Sequence, residues 1–183
     1  MPGIIADQPN VEKRTYSSYS KTMSLNHEFV IVDDITKSNW YDLSSDFFEN
    51  KAKYDYVSIH DDFVHYFSDY TRFLKLYNPC KDEIVSNLCF YGLTKIPYEV
   101  LGDAVKILEH LLGIFTLAPD EIKLTGNFVF EDLDTSDSAE YSAKGHYETL
   151  TTSKDKMCRK IQDLINLFSK ARNEKKCIMH CGV

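Results

Sequence analysis

Apolar positions along this chain fall into two periods, and the periods place the elements. His27 to Val32 (HEFVIV) is a short β-branched apolar run closed by Asp33 and Asp34, which predicts a buried strand. Thr36 or Ser38 would cap a short helix over Trp40 and Tyr41, and Ser44 or Ser45 a second one carrying Phe47 and Phe48. From Asp61 to Tyr77 the residues Phe63, Phe67, Tyr70, Leu74 and Tyr77 recur at steps of three and four, which predicts a helix ended by Asn78-Pro79. Asn87 to Tyr91 reads as a strand, and Gly92 to Pro97 as a turn leading into a helix. That helix spans Pro97 to Phe115, with Val100, Leu101, Val105, Leu108, Leu111, Leu112 and Phe115 on one face.

Past Ala118-Pro119, the run Ile122 to Phe130 alternates as a half-buried strand does, and Gly126 marks a bulge or close approach. Glu131 to Gly145 reads as a loop. Ser153 caps a last helix whose stripe is Met157, Ile161, Leu164, Ile165 and Phe168, and whose end gathers Lys170, Arg172, Lys175 and Lys176. The tail CIMHCGV reads as a short buried strand. Strands and helices in this irregular order, without strict βαβ alternation, predict an α+β domain: helices packed on a small, mostly antiparallel sheet. The first 22 residues are polar and aperiodic, so the expected division is a flexible leader, 1–22, and a single domain, 23–183.

Composition narrows the function classes. Of 183 residues, 28 are acids and 21 bases, for a formal charge of -7. That balance argues against direct nucleic-acid binding, which depends on Lys and Arg at phosphates. There is no apolar run long enough for a membrane span and no signal-peptide core, so a cytoplasmic protein with reduced cysteines is expected. The charge is uneven. Glu131 to Glu140 holds five acids and no base, whereas Lys154 to Lys176 holds eight bases and three acids. Aromatics are uneven too: 12 of the 24 lie between Trp40 and Tyr77.

Acids beside aromatics point to a protein-binding surface. Tyr anchors fill pockets, and acids steer toward a basic partner. The expected partner-binding residues are Asp61, Asp62, Tyr66, Asp69 and Tyr70, with Glu131, Asp132 and Asp134 from the loop. Two groups invite a metal reading. His60, Asp61 and His65 would place a carboxylate and an imidazole at i and i+4, which makes a metal-dependent hydrolase the alternative function. Cys177, His180 and Cys181 have zinc-type donors, but strand alternation separates His180 from the two thiols. No Walker A loop, GxGxxG, GxSxG, HExxH or EF-hand loop is present. No metal or other cofactor is expected, and the function expected is non-catalytic. A homodimer through the aromatic helix is a third reading.

The small acidic frame, the long apolar helix PYEVLGDAVKILEHLL, the strand KLTGNFVF, and a helix followed by the strand CIMHCGV together resemble the immunity proteins of bacterial polymorphic, contact-dependent toxin systems. The resemblance covers Met23 to Val183. Cys181 departs from it, standing where an aromatic would be expected. It implies a protein that binds and blocks a cognate toxin, and it transfers no functional residue; the acids and Tyr anchors add the expectation that the toxin is basic and nuclease-like and that its active cleft is occluded.

Overall fold

The computed structural model describes residues 26–33, 40–130 and 145–182. The expected leader, the caps Thr36 and Ser38, and the loop acids Glu131, Asp132 and Asp134 lie outside the described residues. β1 (Asn26–Val32) forms where the HEFVIV run predicts it, and residues 27 to 32 are all buried. They are buried because both faces of the strand are covered. Phe29 and Ile31 meet the large core, while Val30 and Val32 meet a smaller cluster with Trp40, Phe47, Leu93, Cys177 and Met179.

The smaller cluster is closed by α1 (Trp40–Glu49), a single helix rather than two. Ser44 and Ser45 sit inside it, and the Ser44 hydroxyl donates to the Tyr41 carbonyl at 2.9 Å instead of capping a second helix. The opposite face of the sheet carries α2 (Asp61–Thr71), α3 (Leu101–Thr116) and α4 (Lys154–Asn173). Their stripes, among them Val64, Phe67, Leu101, Leu108, Ile161, Leu164 and Phe168, close over Phe29, Ile31 and Ile178. Each such fully buried side chain stabilises the fold by about 1.5–3 kcal/mol relative to exposure. Ser153 caps α4, its hydroxyl accepting the Lys156 amide at 3.2 Å.

The remaining strands are β2 (Tyr56–His60), β3 (Leu76–Asn78), β4 (Glu83–Val85), β5 (Leu93–Ile96), β6 (Glu121–Phe130), β7 (Gly145–Ser153) and β8 (Cys177–Cys181). Six of the strands form one sheet in the order β2-β1-β8-β5-β3-β4, with every neighbouring pair antiparallel. β6 and β7 form a separate two-stranded ribbon whose register shifts between Thr125 and Phe128, so Gly126 does sit at an irregularity. The α+β class and the mostly antiparallel sheet are therefore as expected, with one of the four described α-helices on the far face.

Two further expected elements are corrected. The helix expected to reach Tyr77 stops at Thr71. The Thr71 hydroxyl bonds the Ser68 carbonyl at 2.6 Å and Asn87 at 3.0 Å, and the amides of Arg72, Phe73 and Leu74 tighten to carbonyls three residues back. Leu76 to Asn78 is then taken into the sheet by β4 and β5. Asn78 turns the chain, accepting the amides of Cys80 at 2.9 Å and Lys81 at 3.1 Å on its side-chain oxygen. The strand expected at Asn87 to Tyr91 is irregular instead, and the strand lies at Leu93–Ile96, where a turn was expected. β8 selects that segment by pairing Ile96 with Ile178 and Leu93 with Cys181.

Candidate functional site

The start of α2 is the most chemically loaded place in the described residues. β2 runs into α2 at His60, whose Nδ1 accepts the Asp62 amide at 3.3 Å and so caps the helix. In that role its Nδ1 also lies 3.2 Å from the Asp62 carboxylate. Asp61 is held from the other side. Its Oδ1 accepts His27 Nε2 at 2.8 Å, and its Oδ2 lies 3.8 Å from His65 Nε2. The His65 ring stacks on Phe90, centroids 4.6 Å apart, and the edge of Phe90 meets His27 at 5.1 Å.

Behind Asp61 the polar chain continues into the core. His27 Nδ1 lies 2.7 Å from His180 Nε2, and both rings are 0% exposed. β1 and β8 bring them together because His27 shares the parity of Phe29 and Ile31, and His180 that of Ile178. The protons can be placed by elimination. A carboxylate only accepts, so His27 donates through Nε2 and its neutral ring accepts at Nδ1. His180 must then donate through Nε2, which leaves its Nδ1 as a bare acceptor. That atom has no hydrogen-bond partner.

Burial lowers the pKa of both imidazoles. For His27 desolvation outweighs the opposing pull of Asp61, and for His180 the neighbouring His27 adds to the effect. The pair is therefore neutral, and it orients Asp61. Just past β8 the Gly182 amide donates to the Gly92 carbonyl at 2.7 Å, two residues after Phe90.

The outer face of α2 is different in kind. Val64, Phe67, Ser68 and Thr71 point inward. Asp62, His65, Tyr66, Asp69 and Tyr70 follow the opposite stripe, and Phe73 continues it at 75% exposure. Asp69, 80% exposed, meets Arg72 at 3.4 Å. Tyr70 and Phe73 lie edge to face, 6.3 Å between centroids. The expected partner-binding residues thus separate. Asp69 and Tyr70 stand outward, and Asp62 is half-exposed. Asp61 is 22% exposed and committed to His27, and Tyr66 donates its hydroxyl to the Thr125 carbonyl of the ribbon. Burial and then Asp62 push the Tyr66 phenol up. A small cleft of about 180 Å³ opens between Asp62, His65 and Tyr66 on one side and Thr125, Gly126 and Leu150 on the other.

No family model, no curated protein and no solved structure matches this chain. The arrangement must therefore be judged on its chemistry. Among the described residues, no three of His, Cys, Asp and Glu converge where they could hold a metal ion. His60 contacts Asp62, while Cys177 and Cys181 face α1 and His180 faces the helices on the other side. The Cys181 thiol is pushed up to about 12, chiefly by burial and also by Glu28, so it stays protonated. Two small cavities, of about 30 and 10 Å³, lie among core side chains such as Phe29, Phe67, Leu164 and Phe168 in the first and Ile59, Leu111 and Ile161 in the second. Among the described residues, no helix is long and apolar enough to cross a membrane.

Two buried polar arrangements gave only faint sequence signals. His27 and His180 each occupy core parity in an otherwise apolar strand, and a polar group there needs a partner. Glu28 is the other case. Its carboxylate lies under α1, 6% exposed, and Lys51 reaches it at 2.7 Å while standing 5.3 Å over both Phe47 and Phe48.

Proposed function

We propose that this chain is a non-catalytic binding protein that engages a basic protein partner through the outer face of α2. On this reading the partner is a toxin, nuclease-like in its positive cleft, and the chain neutralises it by occlusion. The observation that carries the reading is the outward stripe itself. Asp62, Asp69, Tyr70 and Phe73 present acid and exposed aromatic surface side by side, and Phe73, edge to face with Tyr70, stays 75% exposed. Aromatic anchors ringed by charge are the usual composition of binding hot spots, and carboxylates facing a basic cleft raise the rate of encounter.

The test is capture and identification of the bound protein, followed by titration with two variants. Phe73→Ala is expected to weaken binding about 30-fold, as loss of a hot-spot aromatic does. Asp62→Lys with Asp69→Lys is expected to slow association and to flatten its salt dependence. A partner that binds both variants as tightly as the wild type, or an acidic partner, would remove α2 from the interface.

A further inference from the structure

Among the described residues the only neighbour of β2 in the sheet is β1, which makes β2 an edge strand there. The Ile31 amide donates to the Asp55 carbonyl at 3.0 Å. Backbone groups alternate sides along an antiparallel strand, so Val57 and Ile59 bond toward β1. Tyr56 and Ser58 turn their N–H and C=O groups outward. Beyond them lies an open groove of about 490 Å³, walled on its far side by α4 through Lys160, Asp163, Asn166 and Lys170.

An unpaired edge is a hazard that proteins blunt with charge, lysine above all. Lys160 does so here. Its stem runs beside Ile59, Phe63 and Met157, and its ammonium donates to the Ser58 carbonyl at 3.1 Å. The two lysines of the wall are in different states. Lys170 is already held by Asp55 at 2.7 Å, whereas Lys160 meets no carboxylate among the described residues and bonds only a neutral carbonyl. Asp163 stands on the same wall and disfavours a polyacidic tract.

We propose that the groove between β2 and α4 is a strand-addition site for an extended segment of a partner protein bearing a single carboxylate opposite Lys160. The carboxylate draws the ammonium off the Ser58 carbonyl, replacing a neutral acceptor with a charged one, which makes the stronger bond. The released carbonyl, with the outward groups of Tyr56, then pairs with the incoming backbone. Lys160 is both the guard of the edge and the reader of its occupant. This surface is distinct from the outer face of α2 and takes a partner segment of the opposite charge.

The experiment uses the full chain and two blocked peptides, acetyl-Thr-Val-Thr-Glu-Thr-Val-Thr-amide and its twin with Gln for Glu. Binding is followed by NMR shifts and by hydrogen exchange at the Tyr56 and Ser58 amides. The Glu peptide is expected to bind about tenfold tighter than the Gln peptide, the difference between a charge-assisted and a neutral hydrogen bond, and to slow exchange at both amides. Lys160→Met is expected to abolish the discrimination, and Lys160→Arg and Lys170→Met to retain it. Equal binding of the twins to the wild type, no binding of either, or protection that appears elsewhere than at β2 would overturn the proposal.

Discussion

Acid should loosen this protein well above the range where carboxylates titrate, and the cause is the buried pair of His27 and His180. Both have native pKa values below the ordinary value near 6.5, His180 well below it. The unfolded chain therefore takes up protons that the native state refuses. Stability from this source is complete above about pH 7.5 and is lost as the pH falls through 6.5 toward the native values. The ceiling follows from the unfolded side alone. At pH 5 an ordinary imidazole gains about 2 kcal/mol by protonation, so the pair can withdraw at most about 4 kcal/mol. The actual figure is lower, because Asp61 supports the charged form of His27. Against a typical domain stability of about 5–15 kcal/mol the loss is large.

Trp40, the single tryptophan and 2% exposed, reports unfolding by fluorescence. Urea midpoints measured at pH 7.5, 6.5, 5.5 and 5.0 should fall steadily. In His180→Leu the starting stability should be lower by about 1–3 kcal/mol, since His27 Nδ1 is left without a donor, but the fall with pH should be roughly half as steep. A wild-type midpoint that does not move between pH 7.5 and 5.0, or an equal slope in His180→Leu, would refute the reasoning.

Lys51→Ala should cost about 2–4 kcal/mol, less than a fully buried pair because the lysine is 37% exposed, and adding Glu28→Gln should recover most of the loss in a double-mutant cycle by urea unfolding. Gly182→Ala should be severely destabilising, since a Cβ there would meet the Cys89 carbonyl oxygen at 2.2 Å and that of Phe90 at 2.3 Å, and a fall in melting temperature of several degrees is the readout. Lys175→Gly should raise stability by up to about 1 kcal/mol, measurable by thermal unfolding, because Lys175, just past the Glu174 cap of α4, has φ of 56°.

The elements read correctly from sequence are those in which local period and tertiary role agree. HEFVIV, the stripe from Met157 to Phe168, and CIMHCGV have an apolar pattern that matches what they bury. The short strands β3, β4 and β5 were not legible, because three or four residues hold no period and their strand character comes from pairing with β8 and with one another. The length of α2 was misread for a related reason. Leu74 and Tyr77 continue the helical spacing, but Leu76 and Asn78 are claimed by the sheet. At the site, the i, i+4 relation of Asp61 and His65 was visible, whereas the partner that fixes Asp61 is His27, 34 residues away across β1. Such a contact is written in topology and not in spacing.

The position of β8 bears on how the protein is made. β8 lies between β1 and β5, yet it is synthesised after both and after the other described elements. Until it arrives, the nascent chain can hold only two fragments of sheet, β2-β1 and β5-β3-β4, each presenting to solvent the edge that β8 will fill. Folding from the N-terminus as the chain emerges is therefore halted short of the native sheet until one central strand inserts into a waiting gap. During that interval the exposed edges of β1 and β5 compete for any other extended segment nearby, which makes the yield of this protein sensitive to crowding by its own nascent copies and to chaperones that cover strand edges.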